Sequence, residues 1–149
     1  MDRARISVDF NSLDSDDTIP LSGTDGTDFV IDSDGNTIVL SAGMDIYIYE
    51  DDFDVFNRQD NLIADGIVVR NPGNYSTVKW YCQINESGIR HESDDPSFRL
   101  PELPINEKRN IIYSDIQRCV SAKCFKKQDR IDFIEFYIKI LKKIDNGEL

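Results

Sequence analysis

The chain has 149 residues, 40% hydrophobic and 30% charged, with a formal net charge of −11. That length is one domain of ordinary size, or a compact domain with a helical appendage, and it can bury a core without staples. No apolar run approaches the ~20 residues of a membrane span, and a surplus of carboxylates repels nucleic acid and anionic membranes alike.

The start, MDRARISVDF, carries no apolar secretory stretch. Three cysteines at unrepetitive spacings make no disulfide framework, so the expected compartment is the cytoplasm with reduced thiols. The charge is uneven. Residues 1–65 hold 16 Asp/Glu against three Arg, a net of −13, whereas residues 66–149 hold 12 against 14 Lys/Arg, a net of +2. Such a field attracts a basic partner, or simply keeps the chain dissolved.

In chain order, ARISVDF (4–10) alternates Ile6, Val8 and Phe10 with polar residues, the period of a half-buried strand. DFVIDSDGNTIVLSAG (28–43) predicts a hairpin around Ser33-Asp34-Gly35-Asn36, where Asp-Gly supplies the positive φ of a tight turn. MDIYIYE (44–50) predicts another strand, followed by a polar stretch from Asp51 to Asn61. LIADGIVVRN (62–71) resumes strand with Gly66 as a bulge or bend, and NPGN (71–74) is turn chemistry. VKWYCQINESGIRHES (78–93) predicts a hairpin through Asn85–Gly88. One register sets Cys82 across from His91, and a bulged register sets Gln83 there.

Pro96, Pro101 and Pro104 mark an extended connector over 96–104. Beyond it, Asn106 can cap a helix running to about Ala122, with Ile112, Ile116, Cys119 and Val120 on one face. A second helix starts near Lys127 or Gln128 and stops at Asn146-Gly147. Its stripe of Ile131, Ile134, Ile138, Leu141 and Ile144 is widened by Phe133, Phe136, Tyr137 and Ile140, so it needs covering on two sides. Strands first and helices after predict an α+β chain. It comprises an antiparallel β-sheet or small barrel over residues 4–95, within a β region 1–95, then the connector 96–104 and a helical hairpin over 105–147.

The run GMDIYIYEDD…DNLIADGIVVRN…VKWYCQINESGIRHESD resembles a group of short uncharacterised bacterial proteins. They share Gly-Met, an acidic pair, Asp-x-Leu-x-Ala-x-Gly-x-Val, Val-Lys-Trp-x-Cys and Gly-Ile-Arg-His. The matching positions are Gly43-Met44, Asp51-Asp52, Asp60, Leu62, Ala64, Gly66, Val68, Val78-Lys79-Trp80, Cys82 and Gly88-Ile89-Arg90-His91. The likeness covers residues 4–95 and implies no activity. The strand order is similar to an SH3-like barrel, an analogy of fold alone.

Several candidate sites follow from residue types. Cys82 and His91 are the elements of a cysteine enzyme, but Cys82 shares its strand face with Val78, Trp80 and Ile84, an apolar row that points into a core. Asp32-Ser33-Asp34-Gly35-Asn36 resembles the start of a calcium loop, yet Gly43 stands where the bidentate Glu belongs. Cys119 and Cys124 lack metal-ligand spacing, and no phosphate-binding or dinucleotide motif occurs. No cofactor or metal is expected. Lys123, Lys126, Lys127 and Arg130 form a basic cluster between the helices.

The sequence therefore points to a non-enzymatic acidic module that binds a basic protein, an immunity-type neutraliser of a bacterial toxin being the instance that suits it. The residues assigned to that surface are Asp51, Asp52, Asp54 and Asp60, with Tyr47 and Tyr49 as aromatic contacts. No nucleic-acid or membrane partner is expected. The alternative is a homo-oligomer, such as a homodimer, joined through the C-terminal helices, and a cysteine enzyme at Cys82/His91 is the remote one.

Overall fold

The computed structural model describes residues 3–14, 16–73, 77–95, 97–122 and 126–149. The chain is α+β and divides into two compact units, Met1–Asp54 with Gln59–Leu100, and Val55–Arg58 with Pro101–Leu149.

The first unit is built from β1 (Ala4–Ser7), β2 (Thr18–Pro20), β3 (Phe29–Ile31), β4 (Thr37–Val39), β5 (Asp45–Glu50), β6 (Leu62–Arg70), β7 (Trp80–Ile84) and β8 (Arg90–His91). The main sheet runs β1-β5-β6-β7-β2, with β8 also on β6, and β3-β4 form a separate hairpin. The pairs are antiparallel except β1 with β5, which run parallel, so the sheet is mixed. Its path ends at β1 and β2 without closing, so no barrel forms among the described residues. β2 was not anticipated. It is three residues long and contains Pro20, which an outermost strand tolerates because one row of its main-chain groups has no ladder to join.

Alternation builds the core. Ile6, Ile46, Ile48, Val68, Cys82, Ile84 and Ile19 pack in one buried cluster with Trp80 and Leu21. Leu40 and Val30 of the small hairpin join it. The predicted turn of that hairpin is present. The Asp32 carboxylate accepts the N–H of Asp34 at 3.0 Å and of Asn36 at 2.8 Å, and Gly35 takes φ +83°. Trp80 is a core anchor with a satisfied indole, Nε1–H donating to Asp28 Oδ1 at 2.9 Å, and the Arg70 guanidinium stands 4.7 Å from its ring centroid. The hydrogen bond from Lys79, then that from Trp80, holds the Asp28 carboxyl below its ordinary 3.8.

The segment 78–93 is not a hairpin. β7 and β8 do not pair with each other; both lie antiparallel to β6, Gly66 opposing Ile84 and Ile63 opposing Arg90. Residues 85–89 are an outward excursion in one interrupted strand. Asn85 N–H donates to Asp65 O at 2.9 Å, its side chain accepts the Ser87 N–H at 3.0 Å, and Gly88 takes φ +67° to bring the chain back. Local turn chemistry was the same as a hairpin's, but β6 offers ladder partners along its whole length, so the chain resumes its direction. Asn71 Oδ1 accepts the Gly73 N–H at 2.9 Å in the NPGN turn, whose last residue lies outside the described residues.

Gly66 is not a bulge either, since it pairs in register with Ile46 and Ile84. A Cβ there would overlap the Gln83 carbonyl oxygen and lie 2.5 Å from Cys82 Sγ. Glycine is needed for close approach.

The second unit comprises α1 (Ile105–Ser121), α2 (Lys127–Asp145) and Val55–Arg58. Phe56, Ile112, Ile140 and Ile144 are its buried core, lined by Val55, Leu103, Ile116, Tyr137 and Leu141. Arg109 Nη2 bridges Asp145 at 2.6 Å and so joins the two helices. α1 starts one residue before Asn106, with Pro104 at its N-cap and no side-chain cap, and Val120 is exposed instead of sharing the face of Ile112. The buried stripe of α2 centres on Tyr137, Ile140 and Ile144, leaving Ile131 and Ile138 at 39% and 40% exposure. α2 ends as predicted, at Asn146 with Gly147 at φ +72°. Lys123 and Cys124 lie outside the described residues.

Two stability outcomes follow. Gly66→Ala lowers the urea midpoint by the equivalent of about 1–3 kcal/mol, because backbone must shift to admit a methyl group. Phe56→Ala costs about 3 kcal/mol, read as faster hydrogen exchange of the α1 and α2 amides, because it removes the loop's buried ring from the helical core.

Candidate functional site

The acidic stretch between β5 and β6 is folded upon itself. Phe53 and Gln59 form a bridge, Asp60 N–H donates to Asp52 O at 2.9 Å, and Gln59 Nε2–H donates to Asp51 Oδ1 at 3.3 Å and Asn61 Oδ1 at 3.2 Å. Asp51 is exposed and Asp52 and Asp54 are half-buried. Asp60 does not join them. It is 6% exposed and accepts the Ser93 N–H at 3.0 Å and the Ser93 hydroxyl at 2.5 Å. A buried carboxylate needs donors, and Ser93 supplies two, so Asp60 clasps the 92–94 turn to the loop. Asp51, Asp52 and Asp54 lie on the same stretch between β5 and β6.

Tyr47 and Tyr49 alternate with buried Ile46 and Ile48, so they occupy the sheet face opposite the main core. That face is not open. The Arg5 guanidinium stands 5.2 Å from the Tyr47 ring centroid and 4.6 Å from that of Tyr49, and Arg3 stands 5.7 Å from Tyr47. Arg3 and Arg90 both pair with Asp65, the latter at 2.7 Å, while Arg5 bridges Glu92 at 2.6 Å. Sequence reasoning missed this cluster, although Arg3-x-Arg5 and Tyr47-x-Tyr49 both carry strand spacing, which puts each pair on one face. Burial acts to raise the Asp65 carboxyl, but the hydrogen bonds from Arg90 and Arg3 outweigh it and hold the group below 3.8. Burial, then the nearby Glu92 charge, pushes the Tyr47 phenol above its ordinary 10.0 against the pull of Arg5. A cleft of about 250 Å³ opens beside this cluster, lined by Arg5, Gln59, Asn61, Glu92 and Phe98.

Cys82 and His91 are far apart. Cys82 opposes Val68 and His91 opposes Leu62, six positions away along β6, which is roughly 20 Å at ~3.3 Å per residue. Burial, with a further push from the Asp65 charge, raises the Cys82 thiol to about 12, so it stays protonated near neutrality. His91 is on the surface, its N–H donating to Asp94 Oδ2 at 3.0 Å, and its Nδ1 lies 4.0 Å from Asp60 Oδ2. The arrangement holds exposed carboxylates and a paired arginine–tyrosine face, and Cys82 and His91 form no thiol–imidazole couple.

Comparison with protein-family models, with curated proteins and with solved structures finds no match to this chain. No described helix is long and apolar enough to cross a membrane.

Two measurements check this geometry. In native protein at neutral pH, Cys82 resists thiol reagents and reacts once denaturant is added; rapid native labelling at Cys82 would contradict the burial. Because the folded Asp65 pKa is depressed, its contribution to stability is present above the unfolded value of 3.8 and disappears as pH falls through and below it. Asp65→Asn therefore reduces stability near neutrality and flattens the acid limb of the stability–pH curve.

Proposed function

We propose that this chain is a non-enzymatic acidic module that binds a basic protein through the surface bearing Asp51, Asp52 and Asp54, in the manner of an immunity protein neutralising a cationic bacterial toxin. The observation that supports this reading is the division of charge between the units. The β-sheet unit carries 20 Asp/Glu against 6 Lys/Arg, a net of −14, and the helical unit 8 against 11, a net of +3. Within the β-sheet unit, among the described residues, the ion pairs of Lys79, Arg3, Arg90 and Arg5 involve only Asp28, Asp65 and Glu92. Among the described residues neither Asp51 nor Asp52 has a lysine or arginine partner. Carboxylates left without a cation keep a long-range field, which accelerates encounter with a cationic surface.

The test is Asp51→Asn/Asp52→Asn/Asp54→Asn, with association measured by stopped flow against a panel of cationic nucleases over a range of salt. Neutralisation lowers the on-rate of a binding nuclease about 3- to 10-fold at low ionic strength and reduces its salt dependence. An unchanged on-rate and salt slope would remove the reading.

A second reading, self-association through the helices, is favoured by the exposed Tyr113, Ile131, Phe133, Phe136 and Ile138 of the helical unit. A mass by light scattering that stays monomeric across concentration would dismiss it.

A further inference from the structure

The two sheets of the β-sheet unit turn partly unpaired backbone edges toward each other. Just past β1, Val8 N–H donates to Tyr49 O at 2.9 Å, so the main-chain groups of even-numbered residues there point at β5 and those of Arg5 and Ser7 point away. Consistently, the outward Arg5 carbonyl accepts the Ser33 N–H at 2.9 Å. On the small hairpin, Leu40 N–H donates to Asp28 O at 2.6 Å and Asp32 N–H to Asn36 O at 2.9 Å, so even-numbered residues face β4 and the main-chain groups of Phe29 and Ile31 face outward.

The Ser33–Arg5 bond is thus the first rung of a ladder between β1 and β3 that goes no further. Among the described residues, no hydrogen bond joins the backbones of Ser7 and Ile31. In place of that rung is a cleft of about 280 Å³ lined by Ile6, Ser7, Gly23, Phe29, Val30 and Ile31. Beside it, Phe29, Ile31 and Val39 are 46%, 56% and 67% exposed, and Phe29 pairs with Val39, so an apolar patch borders the opening.

We propose that this cleft receives an extended segment of a protein partner as an added β-strand, hydrogen-bonded to the free edges at Ser7 and Ile31; the Phe29 carbonyl already accepts the Thr27 hydroxyl at 3.4 Å. The segment alternates β-branched or aromatic side chains, which cover the Phe29–Ile31–Val39 patch, with lysines or arginines. Main-chain bonds supply affinity in this mode, and alternate side chains supply selectivity. Charge selects the basic occupant. Between Arg5 and Arg58 the chain has no lysine or arginine and 13 Asp/Glu, of which Asp9, Asp25 and Asp32 adjoin in sequence the segments lining the cleft. A second copy's strand drawn from this same acidic run is disfavoured by like-charge repulsion. The inference rests on β1 and β3 and not on Asp51, Asp52 and Asp54, so the two readings fail separately.

The probe is a short synthetic peptide of alternating valine and threonine with lysine flanks, titrated into the full chain and followed by amide resonances. Expected is saturable binding that shifts and protects the amides of Ser7 and Ile31. Glutamate flanks, or N-methylation of alternate peptide amides, weaken it about tenfold or more. Ser7→Pro removes the outward N–H while sparing the bonds to β5 and weakens binding to about the same degree, whereas Ser7→Ala binds like the parent chain. Ile31→Lys, on the other edge, also weakens binding and serves if Ser7→Pro does not fold. No saturable binding of the lysine-flanked peptide, or unchanged binding by folded Ser7→Pro or Ile31→Lys, overturns the proposal. Self-association of the parent chain that these variants abolish would assign the edge to a second copy and also overturn it.

Discussion

The β-sheet unit depends on β6. Its nine residues pair with β5 along one edge and with β7 and then β8 along the other, and its side chains alternate between the apolar core and the arginine–tyrosine face. At its middle, Gly66 lets the Gln83 carbonyl and the Cys82 sulfur come closer than any side chain permits. This approach packs β7 onto the core and leaves β8 to continue along the same strand. The 85–89 excursion, the distance between Cys82 and His91, and the burial of the thiol all follow from a long strand that organises both neighbours.

The carboxylates divide by what they meet. Asp14 accepts the N–H groups of Asp16 and Thr18, Asp32 holds the β3–β4 turn, Asp60 clasps Ser93, and Asp65 joins two arginines. Each satisfies donors that would otherwise cost free energy when desolvated. An acidic composition therefore overstates the number of carboxylates left to face solvent. Arg5 and Arg3 are held in the same way, lying over tyrosines and against carboxylates, while the excess of Asp/Glu in the unit keeps its field negative.

The helical unit draws Val55–Arg58 into its core from a stretch that is otherwise polar. The Phe56 ring is buried among Ile112, Ile140 and Ile144, with Arg58 and Lys108 each 5.4 Å from its centroid. Val55-Phe56, two adjacent apolar residues amid aspartates, was the available signal. An isolated pair has no period, so it specifies neither helix nor strand, and only a distant partner reveals what it packs against.

What the sequence by itself determined is what local periodicity and turn chemistry encode: the strands at β1, β5 and β6, the β3–β4 hairpin around Asp34-Gly35, the two helices, the glycine stop at Gly147, and the α+β order. Residue alternation is a property of one strand or helix, and these elements are long enough or capped clearly enough to show it. Tertiary structure alone decided the parallel pairing of β1 with β5, the short β2, the open sheet, the failure of 78–93 to close as a hairpin, and the burial of Asp60 beside exposed Asp51. Each of these depends on which main-chain groups or donors arrive from residues far along the chain, and neither composition nor spacing records that arrival.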